Sequence, residues 1–258
     1  MKIVTWNVNS IRARVDNLLN WLVAAQPDVV LLQETKVEDF QFPYEAIGNA
    51  GYDAAHYGQK SYNGVAILSR GRAENVVRGF ADGAPEDEPR RIISADVTVG
   101  GERFAVCSVY VPNGQAVDSD KYRYKLEWLA RFEKRVARGS DLPFIVGGDY
   151  NIAPADVDVY DPEGWRGQTL CSERERAGLR ALIATGLHDA YRTLVPDAPM
   201  FTWWDYRAGG FQRNLGLRID HFLLNDAAMK RCHSVTVDRA ARGIENASDH
   251  APVTAELL

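Results

Sequence analysis

Asp149 and Asn151 follow an apolar run and two glycines, Phe144-Ile145-Val146-Gly147-Gly148, with one residue between them. Side chains two apart on an extended backbone point the same way. The mouth of a buried strand would therefore present a carboxylate and an amide together. A carboxylate accepts a proton or ligates a hard cation, and a neutral amide orients a water or an anion. Asp and Asn also favour ordinary turns, and the pair alone does not choose between the two readings. The chemical reading rests on four further clusters at the ends of apparent strands. Asn7 and Asn9 repeat the two-residue spacing, and Glu34 and Lys36 follow Leu31-Leu32-Gln33. Asp220 opens an apolar strand after Leu217-Arg218-Ile219, and Asp249 and His250 precede the last strand.

Together these residues have a chemical logic. Oxygen donors from Glu34, with help from Asn7, Asn9 and Asp249, suit Mg²⁺ or Mn²⁺. Zinc would want His and Cys at spacings the chain lacks, and Cys107, Cys171 and Cys232 are too scattered for a metal clip or a disulfide framework. A hard cation on a phosphate oxygen stabilises the charge of a phosphoryl transition state. Asp149 can take a proton from water, and His250 backed by a carboxylate can bind a phosphoryl oxygen. Asn7 and Asn151 orient phosphate and water without electrostatic repulsion.

The elements that must position these groups alternate. Strands are expected over residues 3–8, 29–32, 64–69, 91–99, 103–111, 144–146, 219–224 and 253–257, and helices over 12–25, 121–138 and 173–186. Gly100-Gly101 reads as a hairpin turn. Three stretches lack periodicity, 112–120, 153–168 and 205–215, and long loops in a compact domain often carry function. No composition break marks a linker, so one domain over 1–258 is expected. The three cysteines and the strand that starts at once favour a reducing cytoplasm, and no stretch reaches the length of a membrane span.

The net charge of −5 argues against a generally basic nucleic-acid binder. Local basic groups run the other way: Arg12 with Arg14, Arg90 with Arg91, Lys121 with Arg123 and Lys125, and Arg207 with Arg213 and Arg218. Any of them is either a solvated face or a phosphate contact. Among the other histidines, His56, His188, His221 and His233 read as surface or packing residues. Trp21 and Trp128 read as core, and Trp165 stays unassigned in its long loop.

Eight motifs, in order along the chain, resemble the exonuclease III family of abasic-site endonucleases. They are Trp6-Asn7-Val8-Asn9-Ser10-Ile11-Arg12, Leu32-Gln33-Glu34-Thr35-Lys36, Asn63-Gly64-Val65-Ala66-Ile67, Tyr110-Val111-Pro112-Asn113-Gly114, Gly148-Asp149-Tyr150-Asn151, Trp203-Trp204-Asp205-Tyr206-Arg207, Leu217-Arg218-Ile219-Asp220 and Ser248-Asp249-His250. The resemblance implies an α/β fold, a four-layered sandwich of two mixed β-sheets packed face to face and flanked by helices. It implies a Mg²⁺-dependent monomer (Mn²⁺ as substitute) acting on duplex DNA with abasic sites or blocked 3′ ends. By the same resemblance Glu34 is the principal metal ligand, with Asn7, Asn9 and Asp249 near the metal. Asp149 positions or activates water beside Asn151, and Tyr110 and Asn113 contact the phosphate region. Asp220 orients His250, His250 binds the scissile phosphate, and Lys36 sits beside Glu34. Trp203, Leu217 and Ile219 match a pocket for a base-free sugar, and Arg90 and Arg207 are candidates for DNA contact.

Three positions depart from the pattern: Tyr150 for a Phe, Leu215 for an Arg and Ala247 for a Lys. The last two remove positive charge near the face that the resemblance assigns to DNA. Two other functions share the wider fold, a phosphatase of inositol phosphates or lipids and an RNA-binding protein without catalysis. The Trp-Trp-Asp-Tyr-Arg segment argues against the first, and the full set of catalytic groups argues against the second.

Overall fold

The apolar residues of the second strand show how the layers arise. Val29 and Leu31 turn to one face and Val30 and Leu32 to the other, and all four are fully buried. A strand apolar on both faces needs cover on both. Here one face meets a second sheet and the other meets helices.

The computed structural model describes residues 1–83 and 88–258. In chain order the elements are β1 (Lys2–Asn7), α1 (Ile11–Ala25), β2 (Val29–Gln33), α2 (Tyr44–Asn49), β3 (Asp53–Tyr57), β4 (Val65–Ser69), β5 (Glu74–Arg78), β6 (Ile92–Val99), β7 (Glu102–Tyr110), α3 (Asp120–Val136), β8 (Phe144–Asp149), α4 (Pro162–Trp165) and α5 (Glu173–Ala184). Then come β9 (Leu187–Asp189), α6 (Ala190–Leu194), β10 (Trp203–Trp204), β11 (Gly216–Leu217), β12 (Asp220–Asn225), α7 (Asp226–Met229), β13 (Cys232–Val237), α8 (Arg239–Arg242) and β14 (Val253–Leu257).

Two six-stranded sheets form, ordered β13-β14-β1-β2-β4-β3 and β5-β6-β7-β8-β12-β9, with β10 and β11 as a separate ribbon. Both are mixed, since β1 and β2 run parallel, as do β7 and β8. Ile3, Leu31 and Ile67 of the first sheet meet Ile93, Val106, Ile145 and Phe222 of the second in a shared core. On the outer face of the first sheet, Val4, Val30 and Leu32 pack against Ile11, Leu18 and Leu22 of α1 and Ile47 of α2. On the outer face of the second, Val146 and Leu223 pack against Trp128, Leu129 and Phe132 of α3 and Leu179 and Leu182 of α5. The result is the expected four-layered α/β sandwich. The two glycines join β6 to β7 with φ of 60° and 85°, the left-handed values that a tight hairpin requires.

The expected elements are present with ends shifted by a few residues. Four of the strands that sequence periodicity missed share a cause. β3, β5, β9 and β13 are the four sheet edges. An edge strand bonds on one side only and tolerates short, polar sequences such as Asp53-Ala54-Ala55-His56-Tyr57. No helix among the described residues is long and apolar enough to cross a membrane.

Two residues grouped above with surface charge are buried instead. Lys125 on α3 has no exposed side chain and pairs with equally buried Glu175. Arg218 is likewise buried, and its guanidinium bonds Asp158 at 2.7 and 3.2 Å and Asp189 at 2.8 and 3.0 Å. Its Nη1 also lies 3.0 Å from His221 Nδ1, whose ring Nε2 is 2.8 Å from the Ile152 carbonyl. His56 is buried too, with its ring nitrogens 2.8 Å from Thr35 Oγ1 and 2.8 Å from Asp39. His188 lies 2.6 Å from Asp226. These three histidines therefore have polar partners that no local motif announces, whereas His233 is exposed.

Removing one member of a buried ion network leaves uncompensated charge behind. Arg218→Met is expected to lower stability by about 3–5 kcal/mol, because Asp189 would stay buried without its cation and Asp158 would keep only Arg192. Thermal denaturation followed by circular dichroism checks this. A loss below about 1 kcal/mol would mean that the carboxylates are compensated elsewhere.

Candidate active site

Strand register brings the polar residues together. Asp149 ends β8, where it pairs with Tyr110 on one side and Asp220 on the other. Asn7 ends β1 opposite Gln33, and Glu34 follows directly. A side chain on Gly148 would collide with the Val109 carbonyl, so the glycine lets β8 lie tight against β7 just before Asp149. Four site residues sit at left-handed φ: Asn9 at 44°, Glu34 at 52°, Lys36 at 57° and Asn151 at 50°. Such conformations cost energy and persist where the surroundings enforce them. The enforcing contacts are hydrogen bonds from Ser10 and Lys36 main-chain amides to the Glu34 and Asn63 carbonyls.

At the centre, Asn7 Nδ2 donates to Glu34 Oε1 at 2.8 Å and to Asp149 Oδ2 at 2.9 Å. The Asn151 main-chain N–H donates to Asp149 Oδ1 at 2.8 Å, and its side-chain amide reaches Asp149 Oδ2 at 3.3 Å. Asn113 Nδ2 in turn donates to Asn151 Oδ1 at 3.0 Å. His250 Nδ1 lies 2.9 Å from Asp220 Oδ2, which also accepts the Thr202 hydroxyl at 2.6 Å. The other ring nitrogen faces Asp149 at 3.7 Å. Asp249 accepts from Asn9 Nδ2 and Trp203 Nε1, both at 2.9 Å. Lys36 Nζ contacts Glu34 Oε2 at 2.8 Å and Asn9 Oδ1 at 2.5 Å.

Burial and charge set the protonation states. Burial disfavours a charged His250, but Asp220 and Asp149 outweigh it and raise the imidazole to about 10. Burial raises the Asp149 carboxyl to about 7, opposed by His250 and the Asn7 amide and reinforced by Asp220 and Glu34. Burial would also raise Glu34, yet Lys36 and Asn7 bring it below its ordinary value. Asp249 is held low against burial by His250, Trp203 and Asn9. Burial and Glu34 push Tyr110 well above its ordinary value, so its phenol is neutral at pH 7.

Donor atoms of Glu34, Asp149 and His250 lie within 4.8 Å of one another. Four carboxylates, Glu34, Asp149, Asp220 and Asp249, face two basic side chains, His250 and Lys36. Oxygen donors of this kind with surplus negative charge fit a hard divalent cation. Zinc has no cysteine or second histidine in the cluster.

Other expected residues lie further out. Trp203 lines an open cavity of about 570 Å³ beside the cluster, together with Asn113, Trp165, Leu170 and Arg207. Leu217 and Ile219 do not line it. They are fully buried in the apolar cluster beneath, with Ala153, Val159, Leu170 and Cys171, because the β11–β12 backbone turns them inward. Arg207 is exposed and forks onto Asp205. Arg90 is drawn to the Gly58 carbonyl at 2.8 Å and over the Tyr57 ring, 3.6 Å from Asp39. Leu215 borders a smaller hollow with Tyr160 and Trp165, and Ala247 is buried with its carbonyl accepting from Tyr206. Tyr150 is fully buried and reaches the Val146 carbonyl. Thr202 escaped sequence reasoning, since its partner Asp220 lies across the β10–β11 ribbon. So did the Ser248 hydroxyl, which donates to the Asn7 carbonyl at 2.7 Å.

The profile of the Endonuclease/Exonuclease/phosphatase family matches residues 4–250. The chain is 38% identical to exodeoxyribonuclease III of Haemophilus influenzae over 267 aligned positions that span all of both proteins. A 3′ phosphatase from Neisseria, solved with a product DNA hairpin, superposes with a TM-score of 0.93 at 43% identity, covering 100% of this chain and 99% of that one. An AP endonuclease from Archaeoglobus fulgidus gives the same TM-score and coverage at 36% identity.

The site should be visible in the pH response of the metal-free protein. His250 binds its proton more tightly when folded, so its stabilising contribution is complete below 6.5 and is lost as pH rises through about 10. Asp149 also holds its proton more tightly when folded, so its contribution falls as pH rises from 3.8 through about 7. An NMR titration of the imidazole should find His250 charged at pH 7, and Asp220→Asn should move its midpoint down. A wild-type midpoint below 7 would contradict the charge balance described.

Proposed function

The chain belongs to the Endonuclease/Exonuclease/phosphatase family, and on that premise we propose that residues 1–258 form one catalytic unit that hydrolyses phosphodiesters of duplex DNA in base excision repair. It cuts 5′ to abasic sites, trims 3′ ends and removes 3′ phosphates. The observation that carries this reading is the convergence of Glu34, Asp149 and His250 within 4.8 Å at the mouth of the two sheets.

Each residue has a chemical task. Asp149, raised to about 7 by burial in the metal-free protein, accepts a proton from the attacking water in its carboxylate form. Asn7 and Asn151 hold the Asp149 carboxylate by hydrogen bonds and orient the water. His250 offers a cationic Nε2–H to a phosphoryl oxygen, and Asp220 fixes its ring from the other side. Tyr110 adds a neutral hydroxyl, with Asn113 beside the phosphate. Water oxygen bonds to phosphorus, the water proton passes to Asp149, and the bond from phosphorus to the upstream 3′ oxygen breaks, that oxygen leaving as an alkoxide that takes its proton from solvent.

Glu34 would hold Mg²⁺, with Asn7, Asn9, Asp249, Asp149 and Asn151 around it and Mn²⁺ as a substitute. The bound cation supplies positive charge to a phosphate oxygen. Lys36 locks Glu34 in place and adds charge to the same rim. Trp203 sits where a sugar leaving the helix would meet an apolar wall, with Leu217 and Ile219 as the packed floor below. Arg207, at the cavity edge, and Arg90 provide phosphate contacts.

Asp149→Asn replaces a proton acceptor by a near-isosteric amide. General-base contributions are typically ~10²–10⁴-fold, so turnover on abasic duplex should fall by that factor while DNA binding persists. Single-turnover cleavage together with a binding titration checks both halves. A loss under about tenfold would remove Asp149 from the proton-accepting role.

A further inference from the structure

The cavity beside the site is larger than its proposed sugar needs. Its volume of about 570 Å³ is in the range that encloses whole small ligands. A base-free deoxyribose fills only part of such a space. Its walls are mixed in a particular way. Trp203 and Trp165 both line it, and both rings rest on the same apolar cluster around Val159 and Leu170. Trp203 is anchored to the site, since its N–H is committed to Asp249. Trp165 ends the short α4 and extends the aromatic lining beyond it. Asn113 and Gln168 stand on the same walls, their amide nitrogens committed to Asn151 Oδ1 and the Gly164 carbonyl. The Thr169 hydroxyl is buried there without a hydrogen-bond partner in the protein. Its Oγ1 is turned away from the opening, so among the wall's side chains the two indoles carry the recognition.

Two aromatic side chains in a row, with amide side chains beside them, match one kind of ligand, a flat heterocycle. We infer that the cavity is a nucleobase subsite, in which Trp165 stacks on the unpaired base of a 3′-terminal nucleotide. The inference rests on the phosphodiesterase reading and adds the recognised base to it. With the scissile phosphate at His250 and Asp149, the nucleotide on its 3′ side enters past Trp203, which touches Asp249 of the same cluster. The sugar then lies at Trp203 and the base continues to Trp165. A terminal base has lost one stacking neighbour and leaves the helix more readily than an internal one. Stacking on an aromatic side chain compensates for the stacking that remains. A 3′ phosphate places nothing beyond the phosphorus and leaves the subsite empty, so it reports the chemistry alone.

The test compares removal of a base-bearing 3′-terminal nucleotide with removal of a 3′ phosphate from the same recessed duplex, in Mg²⁺. Loss of one stacked base should lower the ratio of kcat/KM for nucleotide removal to that for phosphate removal by about 5- to 150-fold in Trp165→Ala. Trp165→Phe should recover most of that ratio, because a phenyl ring still stacks. With 2-aminopurine as the terminal base, binding to Asp149→Asn should quench its fluorescence, and adding Trp165→Ala should relieve the quenching. An unchanged ratio with unchanged quenching would overturn the subsite. Equal losses on both substrates with a lowered melting temperature would do the same and make Trp165 a packing residue. A wild-type protein that removes neither group would overturn the phosphodiesterase reading itself.

Discussion

A single amide ties the two sheets together where the chemistry is proposed. Asn7 ends a strand of the first sheet, and its Nδ2 donates at once to Glu34 at the end of the neighbouring strand and to Asp149 on the second sheet. Two carboxylates would otherwise repel across this gap, since both lie in the low-dielectric interior. A neutral donor between them fixes their separation without cancelling their charge. Asp220 and Asp149 together raise His250, and the negative charge of the cluster fits a hard cation. The strand registers on both sides, Asn7 with Gln33 and Asp149 with Tyr110 and Asp220, therefore carry chemical meaning. A slip of one residue would turn these side chains to the opposite face.

Around that centre the protein places its costly features in shells of fully bonded polar groups. Lys125 donates to the Asn113 carbonyl at 3.1 Å and the Asn151 carbonyl at 2.7 Å while paired with Glu175. It thus clamps the two loops whose side-chain amides meet beside Asp149. Arg218 joins the loop at Asp158 to Asp189 on β9, directly before the strand that carries Asp220. Buried ion pairs give little net stability, but breaking one is expensive. Such pairs suit a site whose loops must hold one arrangement against the local strain at Glu34, Lys36 and Asn151.

Much of this was legible in the sequence, for identifiable reasons. Central strands such as β2 and β8 announce themselves because burial on both faces demands continuous apolar runs. The clusters at Asn7, Glu34, Asp149, Asp220 and Asp249 were legible because five of them recur at strand ends in one chain, although each alone fits a turn equally well. Edge strands such as β3 and β13 were not, since pairing on one side relaxes the demand for apolar residues. Lys125 and Arg218 were grouped with surface charge because their partners lie 50, 60 and 29 residues away in sequence. Thr202 had no local signal at all, and its role appears only once the β10–β11 ribbon places it on Asp220. Leu217 and Ile219, expected in the pocket wall, are fully buried in the apolar cluster beneath it. Sequence alternation cannot say which side of a two-residue strand faces an opening.

The most direct test is the chemistry of the ends left on a duplex carrying one abasic site. Hydrolysis by water at the phosphorus leaves a 3′-hydroxyl on the upstream fragment and the base-free sugar on the downstream 5′ phosphate. The expected result is that pair of ends as the first product in Mg²⁺, ahead of any trimming of the upstream 3′ end, and none in excess chelator. An unsaturated aldehyde on the upstream 3′ end would mean elimination at the sugar, and cleavage undiminished by chelator would mean that the Glu34 cluster needs no cation. Either outcome would contradict a cation-assisted hydrolysis carried by Asp149 and His250.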